Sequence, residues 1–377
     1  MFNLTVGFVC SFLVIFMIVR SSSFHGTISL DRDLRGVQKN HAVPVPRVGG
    51  TGIACAVLVV VLAEPLWSTV SLKNSLLVLL CAMPVFASGV IEDMTKRVSA
   101  RVRLLCALAS ALAACLLLEA VITRVDIPPV DSWLRIVPIA IGFTVLGTAG
   151  LTNALNLIDG FNGLASVVAI LIFGSIGYVA HSVNDSFVMS MALIMVGSVG
   201  GFILWNFPTP SIFLGDGGAY LIGFVMAQLL VLLVAHNPGV SAWYGAAVVI
   251  YPTFETLFSI YRRILRGRSA GAPDGLHLHT LVYRRILKHG LDEDNLRQRI
   301  WRNSQTSMYL WVLSLVGIIP ATIFWDMPLV LAATTLIFMI AYVWLYVVIV
   351  RFKTPRWLLA LKHSSLDAPR GTEQTRH

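Results

Sequence analysis

Acidic and amide side chains recur at short spacing in an otherwise apolar chain. Asn153, Asn156, Asp159, Gly160 and Gly163 follow one another at three- and four-residue steps, which is one face of a helix. No Lys or Arg lies in this run, so Asp159 has no local ion-pair partner. An Asp at the centre of a spanning helix costs roughly 2.5–3.5 kcal/mol on insertion scales, and less near the interface. A polar stripe this dense lines a cavity, or else packs as an Asn/Gly helix contact.

Four further polar islands carry related chemistry. In residues 206–218, Pro208 and Pro210 break a helix after Asn206, and glycines then open the backbone around Phe213 and Asp216. Asp216 falls at the mouth of the next span, near a partly positive helix N-terminus. It suits helix capping, or a hard cation that carries phosphate oxygens. Glu92 and Asp93 are adjacent, so one keeps its proton unless a cation is near. Lys96 and Arg97 are close enough in sequence to pair with them; the alternatives are a surface ion-pair cluster or a proton-handling carboxylate with Lys96 on phosphate. His277 and His279 lie in residues 274–285 at an i, i+2 step, without the cysteines or further histidines of a zinc set. Solvated loop histidines or phosphate contacts both fit. Residues 33–50 are held extended by Pro and Gly, and offer Lys39, His41 and Arg47 to anionic lipid or to phosphate. Together the five islands supply carboxylates for a metal, amides for hydrogen bonds, cations for phosphate and an aromatic for a base. Those are the needs of phosphoryl transfer from a nucleotide.

The elements that position these groups are membrane spans. Of 377 residues, 56% are hydrophobic and only 12% charged; soluble domains carry about 25% charged residues. Helices satisfy their own backbone in lipid, so the fold class is an all-α polytopic membrane protein. Spans of about 20 apolar residues are expected near residues 2–20, 50–63, 75–91, 104–122, 134–152, 163–180, 186–204, 218–235, 241–261, 308–325 and 328–350, eleven in all. Residues 1–350 read as one transmembrane catalytic domain and 351–377 as a basic tail. Residues 2–19 read as an uncleaved anchor. The five cysteines sit in apolar runs as small hydrophobes. Alternate loops hold 25 of the 28 Lys and Arg residues, so the C-terminus is expected in the cytoplasm and the N-terminus in the periplasm. All five islands then face the cytoplasm.

On these residues, and most specifically on Asn156, Asp159, Gly160 and Gly163 with Phe213 and Asp216, the chain resembles the polyprenyl-phosphate N-acetylhexosamine-1-phosphate transferases of glycosyltransferase family 4. The resemblance covers about residues 30–285. It implies a cytoplasmic UDP-activated N-acetylated sugar and undecaprenyl phosphate as substrates, Mg²⁺ or Mn²⁺ as cofactor, and a multi-pass place in the bacterial inner membrane among its lipids. No nucleic acid is expected; a dimer is common in the family. By position, Asp216 matches the metal-binding aspartate and Phe213 an aromatic that stacks on uracil. Asn206, Asn156 and Asp159 match groups around the nucleotide and diphosphate. Glu92 and Asp93 match a catalytic aspartate pair with Lys96 beside it. His277 and His279 match loop histidines near phosphate, and Lys39 and His41 the first cytoplasmic loop.

The chain departs from the family pattern at Glu92, at Asn162, where many members have a second Asp, and at Thr280, which replaces a third histidine. N-acetylglucosamine or a related deoxyhexose is the expected sugar, with a phospho-N-acetylmuramoyl-pentapeptide transferase as the alternative within the family. A transporter is the alternative from another class. It would place polar groups at mid-membrane between symmetric halves, whereas here they fall at span ends on one side.

Overall fold

The computed structural model describes residues 1–21, 45–267, 276–287 and 295–351. Lys39, His41, Asp274 and residues 352–377 lie outside them. The described chain is helical. The first four helices are α1 (Phe2–Arg20), α2 (Gly49–Ala63), α3 (Leu72–Thr95) and α4 (Ala100–Leu117). A short α5 (Pro128–Leu134) precedes α6 (Val137–Ile158), α7 (Leu164–Ser182), α8 (Ser186–Asn206) and α9 (Gly215–His236). Then come α10 (Ala242–Val248), α11 (Ile250–Leu265), a single turn α12 (Leu278–Leu281), α13 (Leu296–Ile323) and α14 (Pro328–Val350).

Local chemistry starts these helices where the sequence turns polar. Ser71, Ser99, Asp185 and Asn295 each cap an N-terminus by accepting backbone N–H bonds, at 3.0–3.4 Å. Pro84 interrupts α3, and the Val85 N–H next to it donates to the Ser110 hydroxyl of α4 at 3.1 Å. A neighbouring serine thus satisfies backbone that a proline has disturbed within the membrane.

Ten of the described helical segments are long and apolar enough to cross a bilayer. The stretch expected as one span at 241–261 is instead two helices broken at Val249. The ring of Pro252 has no room for a helical carbonyl four residues back, at Val248, where α10 ends. The stretch expected at 308–325 begins twelve residues earlier, at Leu296. That added length is polar and lies on protein: Arg302, Asn303, Ser304, Thr306 and Ser307 are buried.

Helix α9 is the centre of the bundle. It is buried along nearly its whole length and packs against α2, α3, α6 and α7. Small residues permit this enclosure, since lipid offers no hydrophobic drive to press helices together. A Cβ on Gly50 would fall 2.2 Å from Gly218 N, and one on Gly89 would fall 2.5 Å from Gly217 N. The same device joins α1 to α8, where a Cβ on Gly197 would meet Leu4 O at 2.1 Å. The outer helices show Leu, Val, Ile and Phe outward, the surface lipid covers.

Polar clusters tie the end of the bundle that holds Met1. Asn3 donates to Glu64 at 2.8 Å and to Ser190 at 2.6 Å, and accepts from Trp67 Nε1 at 2.6 Å. Arg124 donates to the carbonyl of Val240 at 2.6 Å and to the Asp126 carboxylate at 2.8 Å. Burial opposes ionisation of Asp126, but bonds from the Ser241 hydroxyl, the Ala242 N–H and Arg124 outweigh it and hold the carboxyl below its ordinary range.

Candidate active site

The opposite end gathers the polar islands. Backbone bonds join the first loop to the loop before α9. Phe213 N donates to Pro46 O at 2.8 Å, Gly49 N to Phe213 O at 2.9 Å, and Gly50 N to Leu214 O at 2.8 Å. Gly215 then takes φ +77°, a left-handed conformation that favours glycine. A Cβ there would lie 2.5 Å from both Arg47 O and Asp93 Oδ2. The glycines therefore let the last turn of α3 and the first turn of α9 touch, and with them Asp93 and Asp216.

These two carboxylates meet across one arginine. Arg47 Nε is 3.5 Å from Asp93 Oδ1, and its terminal nitrogen is 3.3 Å from Asp216 Oδ1. Arg103, from α4, pairs with the other oxygen of Asp216. Gly217 N donates to Asp93 Oδ2 at 3.0 Å. Asp93 is buried, and its Oδ1 has the ion pair with Arg47 but no hydrogen bond.

Asp159 sits one residue beyond α6, half-buried, within the field of the same groups. Desolvation pushes its carboxyl up to about 7; Asp216 and Asp93 push the same way, and Arg47 opposes. Asn156, one turn earlier, has a buried Nδ2 with no hydrogen-bond partner. An orphaned amide donor one turn before Asp159 is available to an anionic or carbonyl group of a substrate.

The remaining expected residues divide by environment. Glu92 turns away from Asp93 and accepts the Val98 N–H at 2.8 Å, which closes the α3–α4 turn. Lys96 is exposed, in the left-handed position that ends α3, while Arg47 and Arg103 reach the carboxylates. Asn206 is buried, with its oxygen accepting Gly163 N at 2.7 Å and its nitrogen donating to Ile212 O at 2.8 Å. Both amide groups are thus spent on backbone, joining the α6–α7 and α8–α9 loops. Phe213 is only 8% exposed.

His277 and His279 stack with ring centroids 5.1 Å apart. His279 lies edge-on to Phe161, at 5.4 Å, and its Nε2 approaches Gly160. The histidine turn therefore covers the Asp159 loop. His277 Nδ1 is 3.1 Å from Glu255 Oε1, which also accepts Leu278 N at 3.1 Å; Tyr342 donates to the other oxygen at 2.6 Å. Arg285 donates to the carbonyls that end α14, Ile349 at 3.0 Å and Val350 at 2.5 Å. Arg302 lies 4.0 Å over the Tyr283 ring. Asn162 faces α13: its N–H donates to Asn303 Oδ1 at 2.8 Å, and its carbonyl accepts from Ser307 at 2.6 Å.

Glu255, Arg103 and Asn303 were not singled out from sequence. Glu255 did carry a signal, as a carboxylate inside an apolar run. The partners of Arg103 and Asn303 are more than a hundred residues away, and no local pattern encodes them.

Residues 75–234 match the model of glycosyl transferase family 4. The chain is 27% identical over 299 residues to a probable undecaprenyl-phosphate N-acetylglucosaminyl 1-phosphate transferase of Bacillus subtilis, which covers 77% of this chain and 79% of the relative. It is 28% identical over 251 residues to the undecaprenyl-phosphate alpha-N-acetylglucosaminyl 1-phosphate transferase of Thermotoga maritima, 67% and 72% of the two chains. The decaprenyl-phosphate N-acetylglucosaminephosphotransferase of Mycolicibacterium smegmatis is 32% identical over 206 residues, 48% and 47% of the two. The family segment opens in α3 ahead of Asp93, passes through Asp159 and Asp216, and closes near the end of α9. It takes in the elements that carry Asp93, Asp159 and Asp216, and over that segment the chain is similar to glycosyl transferase family 4.

Proposed function

We propose that the chain is a phosphoglycosyl transferase that moves an N-acetylhexosamine 1-phosphate from a UDP-sugar to undecaprenyl phosphate. The products are a lipid pyrophosphoryl sugar and UMP. The observation that carries this reading is the meeting of Asp93 and Asp216 across Arg47, within the field of Asp159, at the end of a membrane bundle. Relatives named for the same transfer support it over most of the chain.

An oxygen of the lipid phosphate attacks the β-phosphorus of the donor. The bond from that phosphorus to the bridging oxygen breaks, and UMP leaves. Asp93, fixed by the Gly217 N–H, takes a proton from the attacking phosphate or holds it in line. Asn156 and Asp159 meet the nucleotide diphosphate from α6. The histidine turn, steadied by Glu255 and Tyr342, closes over the Asp159 loop and screens it from water.

The donor set suits Mg²⁺ or Mn²⁺. Asp93 Oδ1 lacks a hydrogen bond, and Asp216 offers hard oxygen beside it. Among the described residues no three His, Cys, Asp or Glu side chains gather as a ligand set. That matches Mg²⁺, which commonly takes one or two carboxylates and completes its shell with water and substrate phosphate. When bound, the ion would neutralise the diphosphate and stabilise the leaving phosphate.

N-acetylglucosamine is the first choice of sugar, because the relatives with the longest matches are named for it. A related N-acetylated deoxyhexose is the second. The setting is the bacterial inner membrane, with the cleft on the cytoplasmic face and the product entering O-antigen or another envelope polysaccharide. The test is UMP release by purified protein given undecaprenyl phosphate, Mg²⁺ and a panel of UDP-sugars. One N-acetylated sugar is expected to give lipid-dependent UMP, and Asp216→Ala to abolish it. Lipid-independent release, or full activity in the variant, rejects the reading.

A further inference from the structure

Arg47 and Arg103 hold the two carboxylates that the proposed reaction offers to a divalent cation. Arg47 spans Asp93 and Asp216 through two different nitrogens, and Arg103 takes the remaining oxygen of Asp216. Two guanidinium groups carry the same formal charge as one divalent ion. They stand against the oxygens that such an ion would use, and Asp93 is buried. A guanidinium and a metal ion cannot both occupy that space, and crowding both beside two carboxylates leaves excess positive charge at low dielectric. Phosphate is the natural alternative partner for a displaced guanidinium, because its oxygens match the planar fork.

We propose that Arg47 competes with the divalent cation for Asp93 and Asp216, and turns onto substrate phosphate when the ion enters. Arg47 then has two jobs on one side chain. It is an internal counter-ion that keeps the carboxylates from repelling each other, and it is a phosphate ligand once the cation has taken over that task. The exchange makes metal entry and phosphate entry favour each other, because each removes a cost the other would bear. Arg47 suits the moving role. Its side chain is a quarter exposed, and it stands two residues ahead of α2 rather than within a helix. Arg103 projects from α4 and shares only Asp216.

This inference rests on the cation assigned under the proposed reaction, and its test reads binding rather than turnover. Mn²⁺ binding to the purified full chain in detergent, without nucleotide, is followed by the spin-resonance signal of the free ion. Arg47→Gln is expected to bind Mn²⁺ about tenfold more tightly, as for loss of one competing charge, and Arg47→Lys to fall between Gln and wild type, because its one ammonium keeps the charge and cannot span both carboxylates. Unchanged or weaker binding in a Gln variant that melts like wild type overturns the proposal. A second measurement uses the unaltered protein. Phenylglyoxal modification of Arg47, read by mass spectrometry, is expected to speed up when Mn²⁺ is added; an unchanged or slower rate overturns the proposal whether or not the variant folds. UMP release by wild type reports on the reaction separately. Turnover with no competition at Arg47 leaves the transferase standing and removes only the exchange.

Discussion

At the scale of single residues, the proton on Asp159 is the sharpest handle. Its carboxyl titrates near 7, chiefly because burial strips it of water. It is mostly protonated at pH 6 and mostly ionised at pH 8. If the ionised form serves the donor site, kcat/KM climbs between those values, and Asp159→Asn flattens that limb while lowering activity about tenfold or more. The sign for stability is opposite. A carboxyl raised above its unfolded value takes up a proton on folding, so its contribution declines as pH rises from about 4 to about 7. Asp159→Asn is therefore expected to melt higher than wild type at pH 8 and nearly level with it at pH 4. A pH–rate profile and a melting series at three pH values check both halves. Loss of activity without the gain in melting temperature would show that Asp159 supports the fold.

At the scale of elements, the distance between Asp93 and Asp216 is set by missing side chains. Gly89 of α3 and Gly217 of α9 allow backbone to lie on backbone, and there is no flexible side chain to give way. Gly89→Ala would drive a methyl group toward Gly217 N and wedge the two helices apart. Overpacking of this kind costs about 1–3 kcal/mol. We expect a lower melting temperature in detergent and a fall in lipid-dependent UMP release that outlasts cooling to full foldedness. Normal turnover in the folded variant would mean that the carboxylate spacing is not critical. The spans themselves were largely legible in the sequence, because lipid demands long apolar runs and Ser, Asp and Asn mark where they begin. Two elements were not. The break at Val249 hides in a uniformly apolar stretch, and only Pro252 hints at it. The start of α13 is polar, so hydropathy reads it as loop although it packs on protein. The candidate site was legible in its anions and less so in its cations. An Asp in an apolar run announces itself, whereas the pairing of Arg47 and Arg103 with Asp216 arises only when helices distant in sequence pack. Lys96, the nearer cation in sequence, is exposed in the left-handed position that ends α3.

At the scale of the whole molecule, charge and geometry point the same way. The loops of the carboxylate end draw on the segments that hold 25 of 28 basic residues, as the proposed cytoplasmic orientation of that end requires. In a background without the five native cysteines, Lys96→Cys should react with an impermeant thiol reagent only after the inner membrane is opened. Thr69→Cys, at the other end of α3, should react from the periplasm. The reverse pattern would invert the topology.

The hydrogen bonds that the Asn162 N–H donates to Asn303 and that Tyr342 donates to Glu255 bear on biogenesis. Chains enter the membrane from the N-terminus. By the time α9 has left the ribosome, every carboxylate of the cleft has been made, yet the clasp that steadies the histidine turn has not. A nascent chain arrested before α13 would own the acidic residues and the histidine turn, and still lack the bonds from α13 and α14 that steady them. On the proposed function, the cover over the acidic residues is thus secured only once α13 and α14 have packed against it.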